Sequence, residues 1–136
     1  MNNKFLVAGL LGAIVSNLLG YLIYGALLAG MMTEATMPGV QKPMAEFNWV
    51  FLILSNLASG YFFAYIFSKW ANITTFNGGL SAGATLGFFM AIIYDFVYYA
   101  TTNMMSMKGY LLDIVTTIII SAIVGGVVGW WLGRGK

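Results

Sequence analysis

The sequence predicts an all-α integral membrane protein, a single bundle of four transmembrane helices with both termini in the cytoplasm. Three observations carry that expectation. Only 7% of the 136 residues are charged and 60% are hydrophobic, with a mean hydropathy of +0.86, whereas soluble domains carry about 25% charged residues. The apolar residues gather into four runs, approximately 5–29, 48–70, 78–102 and 110–132, each near the ~20 residues that a helix needs to cross a hydrocarbon core of ~30 Å. With an even number of spans, Lys4, Lys69, Arg134 and Lys136 share one side and Lys42 and Lys108 the other. The side richer in Lys and Arg is expected to be cytoplasmic.

Lys4 and the small residues of "ALLAG" give the first run some look of a signal peptide. Its length argues otherwise, because the apolar region of a signal peptide is usually about 7 to 15 residues, so it is read as a retained first helix. The connections "GMMTEATMPGVQKPMAEFN", "SKWANITTFNG" and "TTNMMSMKG" hold both prolines together with Glu34, Lys42, Glu46, Lys69 and Lys108. They are read as loops. Trp49, Trp70, Trp130 and Trp131 stand near the proposed helix ends, where amphipathic rings prefer the headgroup level. Pairing Ala8-Gly9 with Ala82-Gly83, Tyr24 with Tyr98 and Met31 with Met105 hints at an internal duplication. So biased a composition produces such matches by chance.

Missing residue types narrow the chemistry. The chain has no Cys and no His, which removes disulfides, thiolate and imidazole metal sites, His-ligated haem and the usual nucleophile–base pairs. No cofactor is expected. The net charge of +2 comes with no basic run that could track phosphates, so the expected partner is the lipid bilayer and not nucleic acid.

Read in steps of four, the spacing that keeps residues on one helical face, every run shows a row of small residues. The third gives Gly79, Gly83, Gly87 and Ala91, ending on Asp95; the fourth gives Asp113, Thr117, Ser121, Gly125, Gly129 and Gly133. The first gives Gly12, Ser16 and Gly20, with Asn17 on the adjoining row, and the second gives Asn56, Gly60, Ala64 and Ser68. Such rows let helix backbones approach closely in lipid, where no hydrophobic force draws helices together. Packing accounts for the small residues but not for the polar ends of the rows.

A carboxylate within a bilayer is expensive, so Asp95 needs partners or a purpose. The expectation is a bundle closed at the cytoplasmic side and open outward, with Asp95, Asn56 and Tyr94 or Tyr98 lining a polar cleft and Asp113 at its rim. Asp113 also has a structural reading, as a carboxylate in the first turn of the fourth helix satisfying free backbone amides. Met31, Met32, Met37, Met44, Met104, Met105 and Met107 all belong to the first and third connections or their helix ends. Thioethers suit Cu(I), which makes Met31, Met32, Met104 and Met105 a minor metal-site alternative to flexible interface filling.

The stretches "SKWANITTFNGG", "AGATLGF", "YDFVYYATTNMM" and "DIVTTIIISAIVGGVVGWWLGRGK" resemble small four-helix membrane proteins of Bacteroidetes-type bacteria, a family of unknown function. The resemblance runs from the second half of the second helix to the C-terminus. It implies a compact four-helix protein of a bacterial inner membrane, and it carries no activity or site residue.

The leading functional expectation is therefore a small non-enzymatic membrane protein that forms a homo-oligomer or serves a larger membrane complex. The alternative is a small transporter or channel for a cation, proton or small polar solute, built around Asp95. An enzyme acting on lipid is least favoured, because no nucleophile or phosphate-binding loop accompanies the two aspartates.

Overall fold

The computed structural model describes residues 3–40 and 44–134. Its elements are helical: α1 (Asn3–Gly20) runs on into a π-helical segment (Tyr21–Leu27), α2 (Ala29–Ala35) is short, α3 (Trp49–Tyr65) runs on into a second π-helical segment (Ile66–Trp70), and α4 (Phe76–Thr101) and α5 (Met107–Leu132) are long. Four continuous stretches, Asn3–Leu27, Trp49–Trp70, Phe76–Thr101 and Met107–Leu132, are long and apolar enough to cross a membrane. The shortest has 22 residues, about 33 Å of helical rise. This is a multi-pass arrangement.

Side-chain caps decide where three helices begin. The Asn48 side chain accepts from the Phe51 amide at 3.3 Å, Thr75 Oγ1 from the Gly78 amide at 2.9 Å and Ser106 Oγ from the Gly109 amide at 3.4 Å. Each satisfies an amide left free at the start of a helix. The Ser106 cap starts α5 three residues earlier than the apolar run indicates, because Met107, Lys108 and Gly109 are already helical. Between α3 and α4 the chain turns through Asn72, whose φ of 52° lies in the left-handed region that Asn tolerates better than most residues.

The first connection is not simply a loop. It contains α2, and just beyond it Thr36 pairs with Met105 in an isolated antiparallel bridge. The Met37 amide donates to the Met104 carbonyl at 2.6 Å and the Ser106 amide to the Ala35 carbonyl at 2.8 Å. First and third connections are thus fastened at one end of the bundle. At the other end Lys4 Nζ donates to the carbonyl of Arg134, so the first and last spans have their chain ends side by side, as an even number of crossings requires.

The most extensive packing is of α4 against α5, α3 against α1 and α1 against α5, with a smaller contact between α3 and α5. The apolar centre joins Phe5 and Ala8 of α1, Phe63 and Ala64 of α3, Phe67 of the second π-helical segment, and Val124, Val128 and Leu132 of α5. It lies toward the end that holds the termini. Val50, Phe51, Phe89, Ile93 and Val97 are exposed, as apolar side chains facing lipid would be.

Absent Cβ atoms set the helix spacing. A methyl on Gly83 would sit 3.0 Å from the carbonyl carbon of Ser121 and 3.2 Å from Cα of Gly125, and one on Gly79 would sit 2.7 Å from the carbonyl carbon of Gly125. Gly87 meets Ser121, Gly129 meets Thr75 and Gly79, Gly133 meets Thr74, Gly12 meets Val128 and Gly60, and Gly60 in turn meets the backbone of Gly9 and Ala13. Ser16 and Ser121 are buried. Gly20 differs from the expected row: nothing lies within 4 Å of the position a Cβ would take there, so no neighbouring element packs on it.

Candidate functional site

Along α4 the buried residues are Gly79, Gly83, Gly87, Ala91 and Asp95. One row therefore carries the close approach to α5 and ends on a carboxyl. Asp95 is 7% exposed, and its Oδ2 is a buried oxygen that no donor among the described residues reaches. The group facing it is another acid, for the Asp113 carboxyl lies within hydrogen-bonding reach of the Asp95 carboxyl.

Asp113 is not a helix cap. Ser106 takes that role, and Asp113 falls in the second turn of α5, where backbone amides are already bound within the helix. Its side chain is free to point across the interface instead. There the Tyr24 hydroxyl, from the π-helical end of the first span, donates to Asp113 Oδ1. The Thr117 hydroxyl, one turn farther along α5, lies within hydrogen-bonding reach of the same phenol. Asp95, Asp113, Tyr24 and Thr117 thus form one polar cluster at the junction of α4, α5 and the first span.

The expected cleft is not assembled in this form. Asn56 Nδ2 donates to Asn17 Oδ1 at 2.8 Å and to the Leu52 carbonyl at 3.1 Å, while Asn56 Oδ1 accepts from Ser16 Oγ at 2.8 Å. That is a second polar cluster, between α1 and α3. Tyr94 and Tyr98 are 65% and 44% exposed and stand on the outer side of α4. The reason is the packing: α3 turns Asn56 toward Ser16 and Asn17 of α1, while α4 buries its Asp95 row chiefly against α5. The methionine-bearing connections do come together at the Thr36–Met105 bridge, with Met31 and Met32 on α2 and Met104 and Met105 in the third connection.

Two members of the acid cluster were not singled out from the sequence. Thr117 had a signal, since it follows Asp113 by one helical turn in the same row. Tyr24 had none, because its approach depends on how the first span crosses α5. Outside that cluster, Tyr110 is 1% exposed, with a hydroxyl that has no hydrogen-bond partner among the described residues and a ring edge-on to Tyr99 at 6.0 Å between centroids.

Comparison with protein-family models, with curated proteins and with solved structures finds no match. The chemistry of the cluster has to be read from its own atoms. Two carboxyl groups hydrogen-bond to each other only when one of them holds a proton, since bare carboxylates are acceptors alone. Bringing two like charges together away from water is otherwise strongly unfavourable. The Tyr24 donor suits Asp113 as the acceptor of the pair, and Asp95, whose Oδ2 no donor among the described residues reaches, as the group that would carry the proton.

Proposed function

We propose that this protein is a small multi-pass membrane protein that binds and releases a proton at the Asp95–Asp113 pair, in the class of proton-coupled transporters or proton channels. The observation that carries the reading is the buried Asp95, whose Oδ2 no donor among the described residues reaches and whose carboxyl stands beside that of Asp113. Intramembrane carboxyls are costly and are found where ions or protons are handled. A proton suits the site better than a metal cation, because it sits between two oxygens and needs no shell of six to eight ligands, as calcium does. The reading is non-enzymatic.

The bacterial inner membrane is the proposed location, by the resemblance noted above. In this reading the end that carries Lys4, Lys69 and Arg134 faces the cytoplasm, supported by its share of the Lys and Arg residues. Association with further copies or with a larger complex draws less support than the sequence lent it. The glycine rows that would serve an intermolecular contact are largely occupied within the chain.

The test is proton uptake by proteoliposomes, paired with pH-difference infrared spectroscopy of the carboxyl region. Wild-type protein is expected to show flux and a buried protonated-carboxyl band, and Asp95→Asn to lose both. A wild type with neither signal overturns the proposal.

A further inference from the structure

The geometry points to a second site, independent of the acid pair: a groove at the end of the bundle opposite the termini that binds a small organic cation of the methylated-ammonium type. The groove has a volume of about 630 Å³, within the range of small-molecule sites. Its walls come from distant parts of the sequence, Glu34 and Met37 on one side and Tyr99, Thr102, Asn103 and Met105 on the other. The Thr36–Met105 bridge joins the two sides through backbone hydrogen bonds. Such a site is formed before its ligand arrives, which lowers the ordering penalty of binding.

The lining selects the sign and kind of ligand. Among the described residues that line it Glu34 is the only charged one, so a cation finds a counter-charge there. The space far exceeds that of a bare metal ion, and Glu34 is the one carboxylate among the described lining residues, little negative charge for a hard divalent cation. A methylated ammonium matches what is present: a carboxylate for the charge, aromatic and thioether surfaces for the methyl groups, and the Asn103 amide for a polar tail. Tyr99 is well placed for the aromatic role, because the fully buried Tyr110 holds its ring edge-on at 82°. Thr102 contributes less, since its hydroxyl already donates to the Tyr98 carbonyl at 2.6 Å.

Ammonium chemistry reaches a membrane surface either as a free solute or as a lipid headgroup, and the experiment separates them. Full-length protein in nanodiscs of phosphatidylglycerol alone is titrated calorimetrically with choline and with its uncharged isostere, in which carbon replaces the ammonium nitrogen. Choline is expected to bind saturably and the isostere not. Glu34→Gln and Tyr99→Leu should each weaken choline about tenfold or more, while Tyr99→Phe and the control Glu46→Gln, a carboxylate outside the groove, should not. Repeating the titration in discs containing phosphatidylcholine identifies the source: weakened choline binding assigns the groove to the headgroup, and unchanged binding to a free solute. Equal binding of choline and its isostere, no saturable choline binding, or full affinity in Glu34→Gln overturns the proposal. These titrations at one pH do not read the acid pair, so their failure leaves proton uptake to be judged by flux alone.

Discussion

The Tyr24 hydroxyl, on the first span, donates to Oδ1 of Asp113 on the last span, 89 positions later. That bond ties the π-helical end of the first span to α5 beside Asp95. It makes Asp113 the oriented acceptor of the carboxyl pair. Replacing Tyr24 by Phe removes the donor and keeps the ring, so Asp113 loses a charge-type hydrogen bond worth about 1–3 kcal/mol. A lowered thermal or SDS-unfolding midpoint is the expected result, and an unchanged midpoint would show that the bond does not hold the helices together.

Asp95→Asn separates proton chemistry from architecture. The amide can donate to Asp113, so the interface keeps its hydrogen bond while losing the exchangeable acid proton. Stability should stay within about 1 kcal/mol of wild type while flux disappears. Asn56→Ala, which opens the Ser16–Asn17–Asn56 cluster between α1 and α3, should do the reverse: lower stability by about 1–2 kcal/mol and leave flux in the folded fraction. Identical behaviour of the two variants would mean that both clusters are structural.

Gly83→Val and Gly20→Ala should differ in sign. At Gly83 the new atoms meet the backbone of Ser121 and Gly125, and neither can move without parting α4 from α5. Overpacking of that kind costs about 1–3 kcal/mol or more. At Gly20 the space is open and φ and ψ are −60° and −47°, ordinary helical values, so Ala should be neutral or stabilising by about 0.5–1 kcal/mol. Reversible unfolding in detergent measures both.

A disulfide can test the joining of the two connections, in a chain that has no cysteine of its own. Residues facing each other in an antiparallel pair have Cα atoms about 4.5–5.5 Å apart, within the range that a disulfide spans. Thr36→Cys combined with Met105→Cys should therefore cross-link on mild oxidation, seen as a mobility shift that reductant reverses. Failure to cross-link while both thiols react with a maleimide would place the two connections apart.

The contrast between Asp95 and Asn56 shows how far the sequence can be read. The four-residue spacing from Gly79 to Asp95 marks the buried face of α4, and the structure buries those same five positions. Asp113 was harder to read because an apolar run does not reveal a cap: Ser106, in a polar stretch, moves the start of α5 and with it the role of Asp113. The short helix α2 was hidden similarly, inside a segment whose Gly, Pro and Thr content looked like loop. Asn56 was assigned to the wrong neighbourhood because its row, like every other, could have faced any of several helices.

What the sequence by itself determined is what depends on composition and on periodicity along one chain. It determined that four helices are long and apolar enough to cross a membrane, that first and third connections share an end, and which face of α4 carries Asp95. Only the tertiary structure decided which residues meet that face: Asp113 with Tyr24 and Thr117, while Asn56 went to Ser16 and Asn17. The physical reason is that helices in lipid are sorted by close packing and hydrogen bonding and not by burial of apolar area. Small-residue rows of similar spacing fit several partners equally well on paper, and the pairing of α4 with α5 and of α3 with α1 emerges only when the backbones are brought together.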